Sequence, residues 1–175
     1  GDIMNKLSRI QKILIGIVTF GVISGAALVM HNGSLQNNIA YDAFAYMNNL
    51  TSVTMCDSVK RIEDCAFNGC YILESVKLSD NISTIGNGAF SCCENLFDIS
   101  FGSKLTNIGD RAFEDCKSLR EIYLPDSLTT IGCNILNRCE SLERIEVGPK
   151  LFANKKYLKE TFPVQLYKLI DIKHI

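Results

Sequence analysis

The 175 residues are 47% hydrophobic and 21% charged, which is enough apolar material for a buried core and excludes a chain disordered by composition. A net charge of −1 gives no overall footprint for nucleic acid, and the only histidines, His31 and His174, lie outside the middle of the chain, leaving little from which to build a Ser-His-Asp or Cys-His centre. Charge is uneven: residues 39–148 carry 9 Lys and Arg against 16 Asp and Glu, and residues 149–175 carry 6 against 2, so an acidic body with a basic end could steer a partner or simply be solvated.

Residues 1–38 read as an apolar helix. Lys6, Arg9 and Lys12 precede an 18-residue apolar run from Ile13 to Met30. Three readings fit it. One is a secretory signal, with Ser24-Gly25-Ala26 as a cleavage site. Another is a membrane anchor, since the run just reaches spanning length and Gly21-x-x-x-Gly25 could pack helices. The third is a folded cap, because Ile3, Leu7, Ile10, Leu14 and Ile17 fall at the 3–4 spacing of a one-faced helix. Membrane contact is expected only through Ile13 to Met30.

From Ile39 the chain repeats. Five units of constant length start at Ile39, Ile62, Ile85, Ile108 and Ile131, and a fixed period of this size marks stacked repeats. One column reads Phe44, Phe67, Phe90, Phe113 and Leu136, preceded by Ala43, Ala66, Ala89, Ala112 and Ile135. A Leu column runs through Leu50, Leu73, Leu96, Leu119 and Leu142. Val53, Val76, Ile99, Ile122 and Ile145 follow, then Met55, Leu78, Phe101, Leu124 and Val147 two places on.

Those last two columns alternate with polar residues, so each unit holds a short strand with one face inward. Copies one repeat apart would stack as a parallel sheet. The Ala-Phe-x-x-Cys-x-x-Leu stretch, with spacings of 3 and 4, predicts a helical or 3₁₀ turn on the opposite side. Gly86, Gly109 and Gly132 predict turns, and Pro125 ends the fourth strand at a permitted place. No unit can bury its apolar face alone, so residues 39–151 form one stacked array with capped ends.

After Leu151 the period breaks. Residues 152–175 read as a C-terminal cap, with Tyr157, Leu158 and Phe162 at helical spacing, Pro163 as a stop and Leu169-Ile-Asp-Ile-x-x-Ile, up to Ile175, as a final strand. A Lys-rich partner site is the alternative for this segment.

The repeats resemble the BspA-like leucine-rich repeats, whose unit reads L-x-x-I-x-L-P-x-x-L-x-x-I-G-x-x-A-F-x-x-C. Leu119, Ile122, Leu124, Pro125, Leu128, Ile131 and Gly132 match it, as do Ala112, Phe113 and Cys116. The first unit departs with Met47 in the Cys column and the fifth with Ile135-Leu136 for Ala-Phe. The resemblance implies an α/β fold, a right-handed leucine-rich-repeat solenoid of about five repeats with short parallel strands, helical or 3₁₀ turns and caps at both ends. It implies a secreted or cell-surface location, which favours export for the N-terminal segment. It also implies adhesion-type binding of a protein or host-surface ligand, no nucleic acid, no cofactor and no catalytic residues.

Cys70, Cys93, Cys116 and Cys139 share one column, which reads as a ladder of buried free thiols, because a free cysteine behaves as a small hydrophobe. Stacked Cα atoms come within disulfide range, but aligned parallel side chains rarely offer the required dihedral. Cys56, Cys65, Cys92 and Cys133 fall in other columns, and Cys92 reads as the most reactive thiol. Function is expected on the outward strand positions, where exposed aromatics and arginines favour binding hot spots. The candidate partner surface is Lys77, Phe97, Asp98, Arg120, Glu121 and Tyr123, against the plain alternative of a mixed solvated strand surface. The competing functional reading is a structural spacer, or a piece of a longer array, with no ligand of its own.

Overall fold

A computed structural model describes residues 27–29, 38–153, 155–162 and 164–172 of the protein. Its strands are β1 (Ala27–Val29), β2 (Asn38–Ile39), β3 (Ser52–Thr54), β4 (Arg61–Ile62), β5 (Ser75–Lys77) and β6 (Thr84–Ile85). They continue with β7 (Asp98–Ser100), β8 (Asn107–Ile108), β9 (Glu121–Leu124), β10 (Thr130–Ile131) and β11 (Arg144–Val147). Three short helices follow, α1 (Pro149–Phe152), α2 (Lys155–Thr161) and α3 (Val164–Tyr167), before the last strand, β12 (Ile170–Ile172). The parallel-strand solenoid expected from the period is present, and its strands pair in register one repeat apart: Val53 lies against Val76, Val76 against Ile99, and Ile122 against Ile145.

Each coil contributes two strands where the residue pattern predicts one. The predicted strands, joined by β1, form a front face, ordered β1-β3-β5-β7 and, separately, β9-β11-β12. A second parallel sheet, β2-β4-β6-β8-β10, carries the Ile column that opens each unit. It is invisible to period-2 reasoning because each of its strands is two residues long and turns a single buried isoleucine inward.

The Ala-Phe-x-x-Cys stretch is not helical. It is a run of turns in which alternate N–H groups bond within the coil and to the next coil. In the first coil Ala43, Ala45 and Met47 donate to Ala40, Asp42 and Phe44, three residues back, while Asp42, Phe44 and Tyr46 donate to Asp64, Ala66 and Asn68 of the next coil. This alternation needs two left-handed residues per coil. They are Asp42, Cys65, Gly88, Arg111 and Asn134 in one column and Tyr46, Gly69, Cys92, Asp115 and Arg138 in the other, with φ between 53° and 69°. Cys65 and Cys92 therefore do belong to repeat columns, set by backbone conformation and not by burial. Gly86, Gly109 and Gly132 lead into these turns, and a second requirement fixes them as glycine. A Cβ on Gly109 would stand 2.7 Å from the Asn87 nitrogen and 2.8 Å from the Gly86 carbonyl carbon, so glycine is needed there for the close approach of the coil below.

Side chains extend the ladders. The Asp64 Oδ1 accepts the Asn87 N–H at 2.7 Å, the Asn87 Oδ1 accepts that of Asp110 at 2.8 Å, and the Asp110 Oδ1 accepts that of Cys133 at 2.7 Å. The hydroxyls of Ser83, Thr106 and Thr129 each donate to the carbonyl 23 residues earlier. Inside, Phe44, Phe67, Phe90 and Phe113 stack with centroids 5.1, 5.2 and 5.5 Å apart and planes within 11°. The preceding alanine is fixed by this crowding, since Ala66, Ala89 and Ala112 are 0% exposed beside those rings.

The cysteine column is the expected ladder of buried thiols, and all eight cysteines are free. Each column thiol donates to the phenylalanine carbonyl 26 residues earlier: Cys70 to Phe44, Cys93 to Phe67, Cys116 to Phe90 and Cys139 to Phe113, at 3.1–3.4 Å. A thiol aimed at a carbonyl is not aimed at the next sulfur, which accounts for the absence of disulfides along the stack. Burial pushes the thiols of Cys70 and Cys139 up to about 12, and raises Cys93 and Cys116 well above the ordinary thiol range.

At the N-terminal end, Ala27–Val29 is strand where residues 1–38 are expected to be helix; β1 pairs with β3, Leu28 lying against Val53. Parallel pairing to the exposed edge of the first full coil outweighs the helical tendency of these three residues. The helical spacing of Ile3 to Ile17 lies outside the described residues. At the C-terminal end, Leu158 and Phe162 are buried against the last coil, and β12 pairs with β11, Ile145 lying against Ile170. Among the described residues no strand pairs with the outer edge of β10. The Tyr157 hydroxyl takes that place, accepting the Ile131 N–H at 2.9 Å and donating to the Ile131 carbonyl.

Removing that hydroxyl leaves both Ile131 backbone groups without it. Tyr157→Phe is expected to lower stability by about 1–3 kcal/mol, read as a lower urea midpoint with an unchanged slope. The column thiols give a pH dependence. The folded protein holds their protons over a range where the unfolded chain releases them, so their contribution is complete below about pH 9 and is lost as pH rises toward about 12. Urea midpoints should fall across that window, and less steeply in Cys70→Ala. In native protein at neutral pH, alkylation followed by peptide mapping should mark exposed Cys133 first and leave Cys70, Cys93, Cys116 and Cys139 unmodified until unfolding.

Candidate partner-binding face

The outward positions of the front strands carry the candidate residues. Lys77 lies exposed on β5, Asp98 and Glu121 begin β7 and β9, and Phe97 and Arg120 stand just before them. Phe97 is 56% exposed, against burial of every phenylalanine in the stacked column. Tyr123 is half-buried on β9, and its hydroxyl donates to the Asp126 carboxylate at 2.8 Å. The Arg120 guanidinium has no hydrogen bond or ion pair among the described residues, whereas Arg144 on β11 bridges Glu146 at 3.2 Å and Asp171 of β12 at 3.0 Å.

The front face is split at this place. β7 pairs with β5 and β9 pairs with β11, but β7 and β9 are unpaired and stand farther apart than the ~4.8 Å of bonded neighbours. The other neighbouring front strands are paired, and behind the split β6 and β8 remain bonded, so the opening is confined to the front. Two departures from the columns fall at it. Pro125, which has no N–H, follows β9 where other coils carry Ser79, Gly102 and Gly148. Phe101 fills a slot held elsewhere by Met55, Leu78, Leu124 and Val147, and its ring stands edge-on to Phe113, 5.8 Å away at 74°. The column residues of this strand, Ile99 and Phe101, are half-buried, whereas their counterparts in the other four coils are buried.

Two cavities open at the split. One of about 780 Å³ is lined by Phe97, Ser118, Arg120, Glu121, Glu143 and Arg144. The other, of about 270 Å³, adds Asp98, Ile99, Tyr123 and Glu146. Five of the six candidate residues thus converge, and Lys77 lies outside both cavities. Glu143, Arg144 and Glu146 were missed as site residues, although they occupy the same outward columns one repeat on. The split itself has no period to betray it; its signal is the aromatic Phe101 in an otherwise aliphatic column, with Pro125 directly after the next member of that column, Leu124.

The cysteines outside the core column do not form a centre. Burial and then the charges of Asp42 and Asp64 raise the Cys65 thiol, and Cys56 lies 2.9 Å from the Ser58 hydroxyl. Among the described residues no three His, Cys, Asp or Glu side chains gather as a metal site, and no helix is long and apolar enough to cross a membrane. The run from Ile13 to Met30 lies outside the described residues apart from Ala27–Val29.

No curated protein matches the chain in sequence. Solved structures do. A leucine-rich cell surface protein of Faecalibacterium prausnitzii is 40% identical over 55% of this chain and 25% of its own, with a TM-score of 0.53. A leucine-rich-repeat protein of T. pallidum is 32% identical over 70% of this chain and 58% of its own, with a TM-score of 0.67. One from Bacteroides ovatus, 23% identical over 91% of this chain and 44% of its own with a TM-score of 0.61, shares the fold. The chain spans from a quarter to under two thirds of the length of these relatives. The BspA-type leucine-rich-repeat region matches residues 37–162 in 6 copies, one more than the five units counted from the spacing. The chain belongs to the BspA-type leucine-rich-repeat family.

Proposed function

We propose that this protein binds a protein ligand at the cell surface through its front strand face, by contact and not by catalysis. The observation that carries this reading is the convergence of exposed Phe97 and unpaired Arg120 on an opening in the front sheet. A large apolar ring left in water and a guanidinium without a partner among the described residues both gain from being covered, and these residue types dominate binding hot spots. Glu121 and Tyr123 flank them on β9, Asp98 lies across on β7, and Lys77 extends the face along β5. The cell-surface description of the F. prausnitzii relative supports the location, as does the apolar run at Ile13 to Met30 read as an export signal or anchor.

Immobilised full chain, presented with a panel of matrix and host-surface proteins, should capture a ligand. Phe97→Ala and Arg120→Ala should each weaken that binding by about thirtyfold, corresponding to about 2 kcal/mol. Thr130→Ala, on the second sheet, should leave it unchanged. Binding that survives both front-face substitutions, or no capture from the panel, would sink this reading in favour of a spacer.

A further inference from the structure

The split between β7 and β9 is more than an exposed patch, because it leaves two strand edges open toward each other. Alternate residues of a parallel strand turn their backbone groups to opposite neighbours. On β7, Asp98 donates to Glu74 and Ser100 accepts from Leu78, so the intervening Ile99 turns its N–H and C=O away from β5 and into the split. On β9, Arg120 accepts from Arg144 and Leu124 accepts from Gly148, so Glu121 turns its backbone groups the other way, also into the split. Open edges of this kind are templates for an added strand.

The charge around the opening selects its occupant. Asp98, Glu121 and Glu143 have no ion-pair partner among the described residues, Glu146 is already engaged by Arg144, and Arg120 is the one unengaged cation lining the opening. The surrounding repeats are acidic as well, with 16 Asp and Glu against 9 Lys and Arg over residues 39–148. Phe97 adds an exposed ring face beside these carboxylates, a surface that attracts ammonium and guanidinium groups.

We propose that the split receives an extended basic segment of the partner as an inserted strand. Its backbone bonds Ile99 on one side and Glu121 on the other, and its outward Lys or Arg side chains lie against Asp98, Glu121, Glu143 and the Phe97 ring. This rests on the reading of the front face as the binding surface and adds the chemistry of what binds there.

The test uses a fluorescein-labelled heptapeptide of alternating lysine and valine, titrated into the full chain by anisotropy. Two comparison peptides carry glutamate for lysine or N-methyl groups on alternate residues. The lysine peptide should bind at least about tenfold more tightly than either, and the double charge reversal Glu121→Lys with Glu143→Lys should reverse its preference over the glutamate peptide. Hydrogen exchange at the Ile99 and Glu121 amides should slow when the lysine peptide is bound. Phe101→Leu, which fits the column and lets the front close, should abolish binding while circular dichroism and urea midpoint report an intact fold. Equal binding of the N-methylated peptide, unprotected Ile99 and Glu121 amides, or no binding at millimolar peptide would overturn the insertion. If the captured protein ligand still depends on Phe97 in that case, the face remains the binding surface and only the inserted strand is wrong.

Discussion

The structure depends on one constraint: a single coil cannot satisfy its own backbone, so its polar groups must find partners in the coils on either side. The turn segment meets this by alternation, every second N–H closing a turn within the coil and the others reaching the next coil. That alternation demands two left-handed residues per coil, and the chain supplies them with residues as different as Asp42, Cys65, Gly88 and Arg111. Non-glycine residues in that conformation are uncommon and strained. In the inner coils they persist because the ladder holds the turn segment from both sides, so the strain of one residue is offset by bonds that this geometry allows.

Packing follows from the same register. Because identical positions sit directly above one another, each column must tolerate its own kind: phenylalanine stacks on phenylalanine, cysteine on cysteine, and asparagine or aspartate bonds its counterpart one coil on. A substitution that suits one coil but not the column is felt by the neighbour. Phe101 and Pro125 are such departures, and they fall where the front ladder opens and five of the six candidate residues gather. The rear sheet and the turn ladders run on unbroken behind them, so a break in local consistency is confined to the place where a partner could use it.

Much of the fold could be read from the residues because it rests on period and alternation. The front strands, the buried phenylalanine and cysteine columns and the final strand at Ile170 all announce themselves by spacing. What escaped reading did so for physical reasons. The second sheet shows one inward residue per strand, too few to display a period. Gly109 looks like a turn residue but is required by the backbone of the coil below, a contact one full repeat away in the chain. Ala27 to Val29 belong to an apolar run whose composition suits a helix, and only the waiting edge of β3 makes them strand. Five of the six candidate residues meet at the opening, since outward columns can be enumerated. Glu143 and Arg144 were passed over because residue type alone does not reveal which neighbouring strands part.

The Tyr157 hydroxyl on β10 has a consequence for how such a chain can change in length. It occupies the outer edge of β10, where the rear ladder would otherwise continue, and Leu158 and Phe162 are buried in the core beneath it. A coil appended beyond Leu151 would have to displace this plug. A coil duplicated between Ile62 and Ile131 would meet matching columns above and below and leave the plug untouched. Gene-level growth and shrinkage of this array is therefore expected from within, by whole coils at a time, with its C-terminal boundary carried along unchanged.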